Sequence, residues 1–332
     1  MNVKIRGIEI SYPDKFVDNQ YFIDLFDKQG KDIRALLKAL GRKKRGIGDN
    51  DTTSTVSLGV EAASKVLKST GLTGEDIDLI VFSSQFPEYT SPAQSLIIHN
   101  LINGTTEREN MVMDINVNCV GMVVALDVVS RFLLQKKKFK RVLLIGADYA
   151  SIQCNKNDPA MYPMFGDAGC AMILEKTDED CGFLDSVSYT NSYHYKMFKY
   201  PNCGTSFLYN DEIDVVKKKI VTSNQPSTED VTKAAKKSVE KLLRNNNLQL
   251  SDIKAFCISQ ASAVLREECI KSIGIPEGKV IYVGDKYGYT GTSSPFIAFY
   301  EGIKNNLIKR GDYVIFWSLG INWTTSGILF KY

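Results

Sequence analysis

Apolar residues in this chain fall in short blocks between polar turns, and the spacing inside each block assigns its element. Val3, Ile5, Ile8 and Ile10 alternate as a strand does, and residues 19–41 carry a helical pattern ending near Gly41. A basic turn follows, Arg42-Lys43-Lys44-Arg45-Gly46-Ile47. Val56, Leu58, Val60, Ala62, Ala63, Val66 and Leu67 predict a helix over 52–70. Thr73-Gly74-Glu75-Asp76 reads as a capping-box-like turn into an apolar strand at 77–84. A loop over 85–92 opens a helix at 92–103. Residues 111–117 form a short apolar strand, and from Val120 onward the chain reads as a mostly apolar, buried helix. The basic run 136–141 precedes a strand at 142–146. Phe165-Gly166-Asp167-Ala168-Gly169 is a turn into one more strand, ending at Leu174.

Beyond Glu175 the periodicity weakens and Tyr, Asn, Phe and Lys dominate, so 175–227 is expected to be an insertion of strands and loops lining a substrate tunnel. Ser227-Thr228-Glu229-Asp230 then caps a helix over 228–246. From there the chain repeats itself. GEDIDLIVFSS at 74–84 is answered by LSDIKAFCISQ at 250–260, and FKRVLLIGADY at 139–149 by KRGDYVIFWSLG at 309–320. The offsets agree: Asp76 to Asp252 is 176, Cys119 to Tyr289 is 170, and Leu143 to Val314 is 171. Two α/β halves, 1–174 and 228–332, imply two parallel-rich sheets covered by helices. The repeat sets Cys119 and the 289 region at equivalent helix starts, facing each other.

Composition narrows the class. With 332 residues, 44% hydrophobic, 24% charged and a net charge of +3, the chain has the make-up of a globular protein with no nucleic-acid role. Seven cysteines without a CxxC pair point away from a disulfide framework or a zinc site and fit a reducing cytoplasm. The first 16 residues lack the apolar core of a signal peptide, and counting apolar runs gives no membrane span. The only histidines are His99, on a packed helix, and His194, in the insertion.

Cys119 is the candidate for chemistry. It sits where the 111–117 strand turns into the apolar helix, and a thiol there meets free backbone N–H groups and the positive end of the helix dipole. Those favour the thiolate, and a thiolate at such a turn suits a nucleophile that takes an acyl group from a thioester.

Asn118-Cys119-Val120-Gly121, the 165–169 turn and the closing Leu319-Gly320-Ile321-Asn322-Trp323, in this order and spacing, resemble the thiolase superfamily, and within it the ketoacyl-acyl-carrier-protein synthase III group. The resemblance spans nearly the whole chain. It implies a duplicated, five-layered α-β-α-β-α fold with two mixed sheets and a homodimer joined through the N-terminal halves. It also implies acyltransferase chemistry in fatty-acid or polyketide-type biosynthesis, with acyl-CoA or the acyl-phosphopantetheine of an acidic carrier protein as substrate. No tightly bound cofactor, metal, nucleic acid or membrane is implied. The group works through Cys, His and Asn, whereas here the His position holds Ser259 and the Asn position Tyr289. The oxyanion hole maps to the backbone N–H groups of Cys119 and of the Leu319-Gly320 turn. Lys43, Lys44, Arg45 and Arg266 are the candidate carrier contacts.

The His and Asn of this group hydrogen-bond the enolate that forms when a malonyl thioester loses CO₂. Serine and tyrosine hydroxyls are neither cationic nor a matched pair for that oxygen, so loading of Cys119 is expected to survive and condensation to be impaired. The alternative is a non-catalytic homologue pairing, as a heterodimer, with an active synthase.

Overall fold

A computed structural model describes residues 1–104, 107–222 and 227–332. Residues 223–226, part of the expected insertion, lie outside the described residues. The N-terminal sheet runs Asn2–Ser11, Ala168–Thr177, Arg141–Asp148, Leu79–Ser83, Met111–Ile115. Leu79–Ser83 is parallel to both its neighbours, and the other two pairings are antiparallel. The C-terminal sheet runs Ile253–Ile258, Tyr313–Gly320, Thr324–Lys331, Gly182–Thr190, with only the first pairing parallel. Both sheets are therefore mixed rather than parallel-rich.

Segments 74–84 and 250–260 end on strands with the same pairing, each parallel to the last strand but one of its half, Arg141–Asp148 and Tyr313–Gly320. Gly182–Thr190, read from sequence as part of the insertion, is the edge strand of the C-terminal sheet and occupies the place that Asn2–Ser11 holds in the other. The counterpart of Met111–Ile115 is only an extended segment bridged at Val280 to Phe256.

Between the sheets lie the helices Gly121–Gln135 and Ser294–Lys304, in one core with both. Val120, Met122, Val123, Ala125, Leu126, Val129 and Leu133 are fully buried there, each large side chain contributing about 1.5–3 kcal/mol. Against the count of apolar runs, Asn118–Gln135 is long and apolar enough to cross a membrane by composition; here it is the central core helix. Helix Thr55–Thr70 covers the outer face of the first sheet, and helix Thr228–Asn245 that of the second. Ser227 caps the latter, accepting from the Asp230 N–H at 3.1 Å. This completes five layers.

The 19–41 stretch is two helices, Asn19–Asp27 and Arg34–Leu40. The break falls at Gly30, whose φ of 69° is left-handed. The basic turn after it contains the strand Lys44–Gly46, paired with Phe16–Asp18.

Candidate active site

Cys119 ends up at the floor of a cleft between the halves, 4% exposed. Asn118 before it has φ 52°, a left-handed conformation that asparagine tolerates better than most residues, and this turns the chain from strand to helix. The helix proper begins at Gly121, and the hydroxyl of Thr292, from the other half, accepts from the Met122 N–H at 2.7 Å.

Tyr289 lies against the thiol, buried to 4% exposure, its ring stacked on Phe165 with centroids 5.6 Å apart. The Ser259 hydroxyl donates to the Tyr289 oxygen at 3.4 Å. The structure thus brings all three sequence candidates together. It adds Gln85, 34 positions away in the loop after Leu79–Ser83, whose Oε1 accepts from the Cys119 thiol at 2.6 Å. No spacing rule connects a loop glutamine to a distant cysteine, so sequence reading missed it.

The electrostatics reverse the expectation for the thiol. Burial pushes Cys119 up to about 12, and the Asp148 carboxylate adds to the rise. Hydrogen bonding from Tyr289 and from the backbone N–H groups of Ile321 and Cys119 pulls the other way without winning. The helix start is present, but no cation stands beside the sulfur among the causes that set its state. The second backbone N–H at the sulfur is that of Ile321, one residue beyond the expected Leu319-Gly320 pair. Leu319 lines the cleft instead. Burial raises Tyr289 well above its ordinary value as well.

Asp148 is fully buried below the site and accepts from the Ser84 hydroxyl and the N–H groups of Gln85, Phe86 and Thr292, at 2.8 to 3.2 Å. It fixes the loop that carries Gln85. Burial raises it to about 6 despite those bonds.

Above Cys119 the cleft is a cavity of about 340 Å³. Its walls are apolar, with Met161, Met164, Phe198 and Trp317 deep and Leu36, Ala39, Val264 and Leu265 nearer the outside. Lys43 and Lys44 do not line this cavity: Lys43 is exposed and pairs with Asp285 at 3.1 Å, and the Lys44 ammonium sits 5.2 Å from the centre of the Phe16 ring. Arg266 stacks on Tyr282 and reaches Glu267 at 3.4 Å. Arg45 is no surface contact: it is fully buried, lies 3.9 Å over Phe22 and donates to Asn19 Oδ1 at 2.8 Å. Desolvation lowers it to about 9. Neither histidine lines the cleft: His99 belongs to helix Gln94–Asn103, and His194 packs against Trp323 at 5.4 Å.

Residues 113–192 match the 3-oxoacyl-[acyl-carrier-protein (ACP)] synthase III family, and residues 243–332 match its C-terminal family. Together these take in a little over half of the chain. The chain belongs to the ketoacyl synthase III family. Beta-ketoacyl-[acyl-carrier-protein] synthase III of Clostridium perfringens (strain SM101 / Type A) is 28% identical over 330 residues, 99% of each chain. The protein of that name from Rickettsia canadensis (strain McKiel) is 27% identical over the whole of both. Among solved structures, the synthase III of Thermus thermophilus has a TM-score of 0.88 at 20% identity, covering 99% of this chain and 98% of that one. Xanthomonas campestris OleA, with bound lauric acid and lauroyl-CoA, has a TM-score of 0.85 at 17% identity, covering 100% and 99%. The side chains at the floor of this cleft, next to the sulfur, are the hydroxyls of Ser259 and Tyr289 and the amide of Gln85.

Proposed function

We propose that this synthase III homologue takes an acyl group from a thioester onto Cys119 and passes it to an acceptor nucleophile, with decarboxylative condensation largely lost. The observation that carries this reading is the buried thiol at the floor of an apolar cavity of about 340 Å³. Such a space suits an alkyl chain whose thioester carbonyl meets the sulfur, and the bound lauroyl-CoA of OleA supports that chemistry. Acyl-CoA or acyl-phosphopantetheine is the donor, and Lys43, Lys44 and Arg266 are the carrier contacts.

In the loading step the Cys119 sulfur forms a bond to the acyl carbon, the donor's C–S bond breaks, and the thiol proton goes to the departing sulfur. The backbone N–H groups of Cys119 and of the 319–321 turn stabilise the oxyanion, a contribution of about 3 kcal/mol per donor in related chemistry. Burial holds the thiol in its protonated form at neutral pH, which slows loading. For condensation, losing the cationic enolate donor and its amide partner costs about 3–5 kcal/mol, a rate loss of roughly 10²–10⁴.

The protonated, cation-free thiol also favours a second reading, a non-catalytic subunit beside an active homologue. Intact-mass measurement after incubation with hexanoyl-CoA separates the two. The proposal expects a hexanoyl adduct that maps to Cys119 and is absent from Cys119→Ala; a folded sample that never acquires it supports the second reading.

A further inference from the structure

In the basic turn that follows helix Arg34–Leu40, the two lysines are exposed and the two arginines point inward. Arg42 is 3% exposed. Its guanidinium pairs with no carboxylate among the described residues and is met by neutral oxygens instead. Nε donates to the Met164 carbonyl at 3.3 Å, and Nη2 to the Gln260 and Ala261 carbonyls at 2.9 and 2.8 Å. Nη1 donates to the Leu40 and Gly284 carbonyls at 3.0 and 3.4 Å and to the Tyr282 hydroxyl at 3.0 Å. A guanidinium holds its five N–H donors in one rigid plane, so the segments that supply these oxygens are fixed against one another. Burying a charge without a counter-ion is costly, and an apolar side chain would fill the same place without that cost.

The oxygens Arg42 takes lead directly to the reaction centre. The Met164 carbonyl also accepts from the Tyr289 N–H at 3.0 Å. Gln260 and Ala261 directly follow Ser259, whose hydroxyl reaches the Tyr289 oxygen at 3.4 Å. Gly284 begins the short helix Gly284–Tyr287, two residues before Tyr289. The Gln260 side chain locks the same two segments together, donating to the Ile258 and Ile281 carbonyls and accepting from the Val283 and Gly284 N–H groups.

We infer that Arg42 is a positioning residue of this site: through the Met164, Gln260 and Ala261 carbonyls it holds the Tyr289 and Ser259 hydroxyls against the Cys119 sulfur. The inference deepens the loading step proposed above, because the Tyr289 hydroxyl is a hydrogen-bond partner that favours the thiolate. Arg42 does not line the cavity, so it acts on the sulfur only through those two side chains. When the fork is lost, Tyr289 draws back, the thiol loses its donor, and less thiolate forms.

The test compares four proteins: unmodified, Arg42→Lys, Tyr289→Phe and the double variant. Lysine keeps the charge but loses the planar fork. Alkylation of Cys119 by iodoacetamide at pH 8 is read by peptide mass. No acyl donor is present, so the result is independent of whether loading occurs. Each single variant is expected to react about tenfold more slowly than the unmodified protein, the effect of one pKa unit at the thiol. The double variant is expected to react no more slowly than Tyr289→Phe. A change that only loosens the fold alters the rate by the same factor whether residue 289 is Tyr or Phe. Equal factors in the two backgrounds overturn the inference, and so does either single variant reacting as fast as the unmodified protein. Urea unfolding of all four establishes that they are folded. Where Arg42→Lys fails to fold, Arg42→Gln takes its place in the same comparison; failure of both to fold shows a purely structural role and also overturns the inference.

Discussion

At the scale of single residues, the account turns on what surrounds one sulfur. Burial holds the Cys119 thiol at about 12, so the reactive thiolate appears only as pH rises. Alkylation of Cys119 by iodoacetamide, read by peptide mass, is expected to accelerate about tenfold per pH unit from pH 7 to 10. A rate already at its plateau by pH 8 would show a stabilised thiolate and contradict the assignment. Ser259 and Tyr289 are the other half of the argument. Ser259→His together with Tyr289→Asn is expected to raise CO₂ release from a malonyl thioester by roughly 10²–10⁴, each change alone doing less because both groups serve one oxygen. No gain in a folded double variant counts against it. Losing the Tyr289 ring from its stack on Phe165 costs about 2–4 kcal/mol of stability, seen as a lower denaturation midpoint. Cys119 was legible from its turn between strand and helix, and Ser259 and Tyr289 from the resemblance, whose His and Asn positions they hold. Gln85 was not, and neither was the thiol's raised pKa, because burial is a property of the assembled cleft and the helix start alone pointed the other way.

At the scale of elements, the strong periods were readable and the exceptions have local causes. The central helix and the strands at 79, 141, 168, 253 and 313 follow from uninterrupted apolar blocks. Gly182–Thr190 was hidden because it is an edge strand with only Gly182 and Val187 buried, so its alternation is faint. The 19–41 stretch hid its break because one left-handed glycine, Gly30, interrupts an otherwise helical pattern. The 165–169 turn has a mechanical reason: a Cβ on Gly166 would land on the Tyr287 carbonyl oxygen, and Asp167 gathers the Gly48 N–H with both the N–H and the hydroxyl of Ser151. Gly166→Ala therefore pushes the 284–289 segment, and Tyr289 with it. A loss of about 2–4 kcal/mol in urea unfolding is expected; a change below about 0.5 kcal/mol would mean the turn absorbs the methyl group.

At the scale of the whole molecule, the duplicated architecture places one strand, Met111–Ile115, at an unpaired sheet edge next to the nucleophile. An edge of this kind invites pairing with another chain, and a homodimer through it is the expected assembly. Light scattering at micromolar concentration should give twice the 37.1 kDa of one chain, and a single-chain mass would contradict it. The repeat in the sequence was enough to foresee two halves meeting at one cleft. The central claim, loading without condensation, is tested most directly in one single-turnover mixture. Hexanoyl-Cys119 protein is combined with a malonyl thioester labelled in its free carboxyl group, and adduct mass and released CO₂ are followed together. The account predicts that the label stays on the malonyl group while the adduct persists; loss of the adduct in step with CO₂ release and ketoacyl product would contradict it.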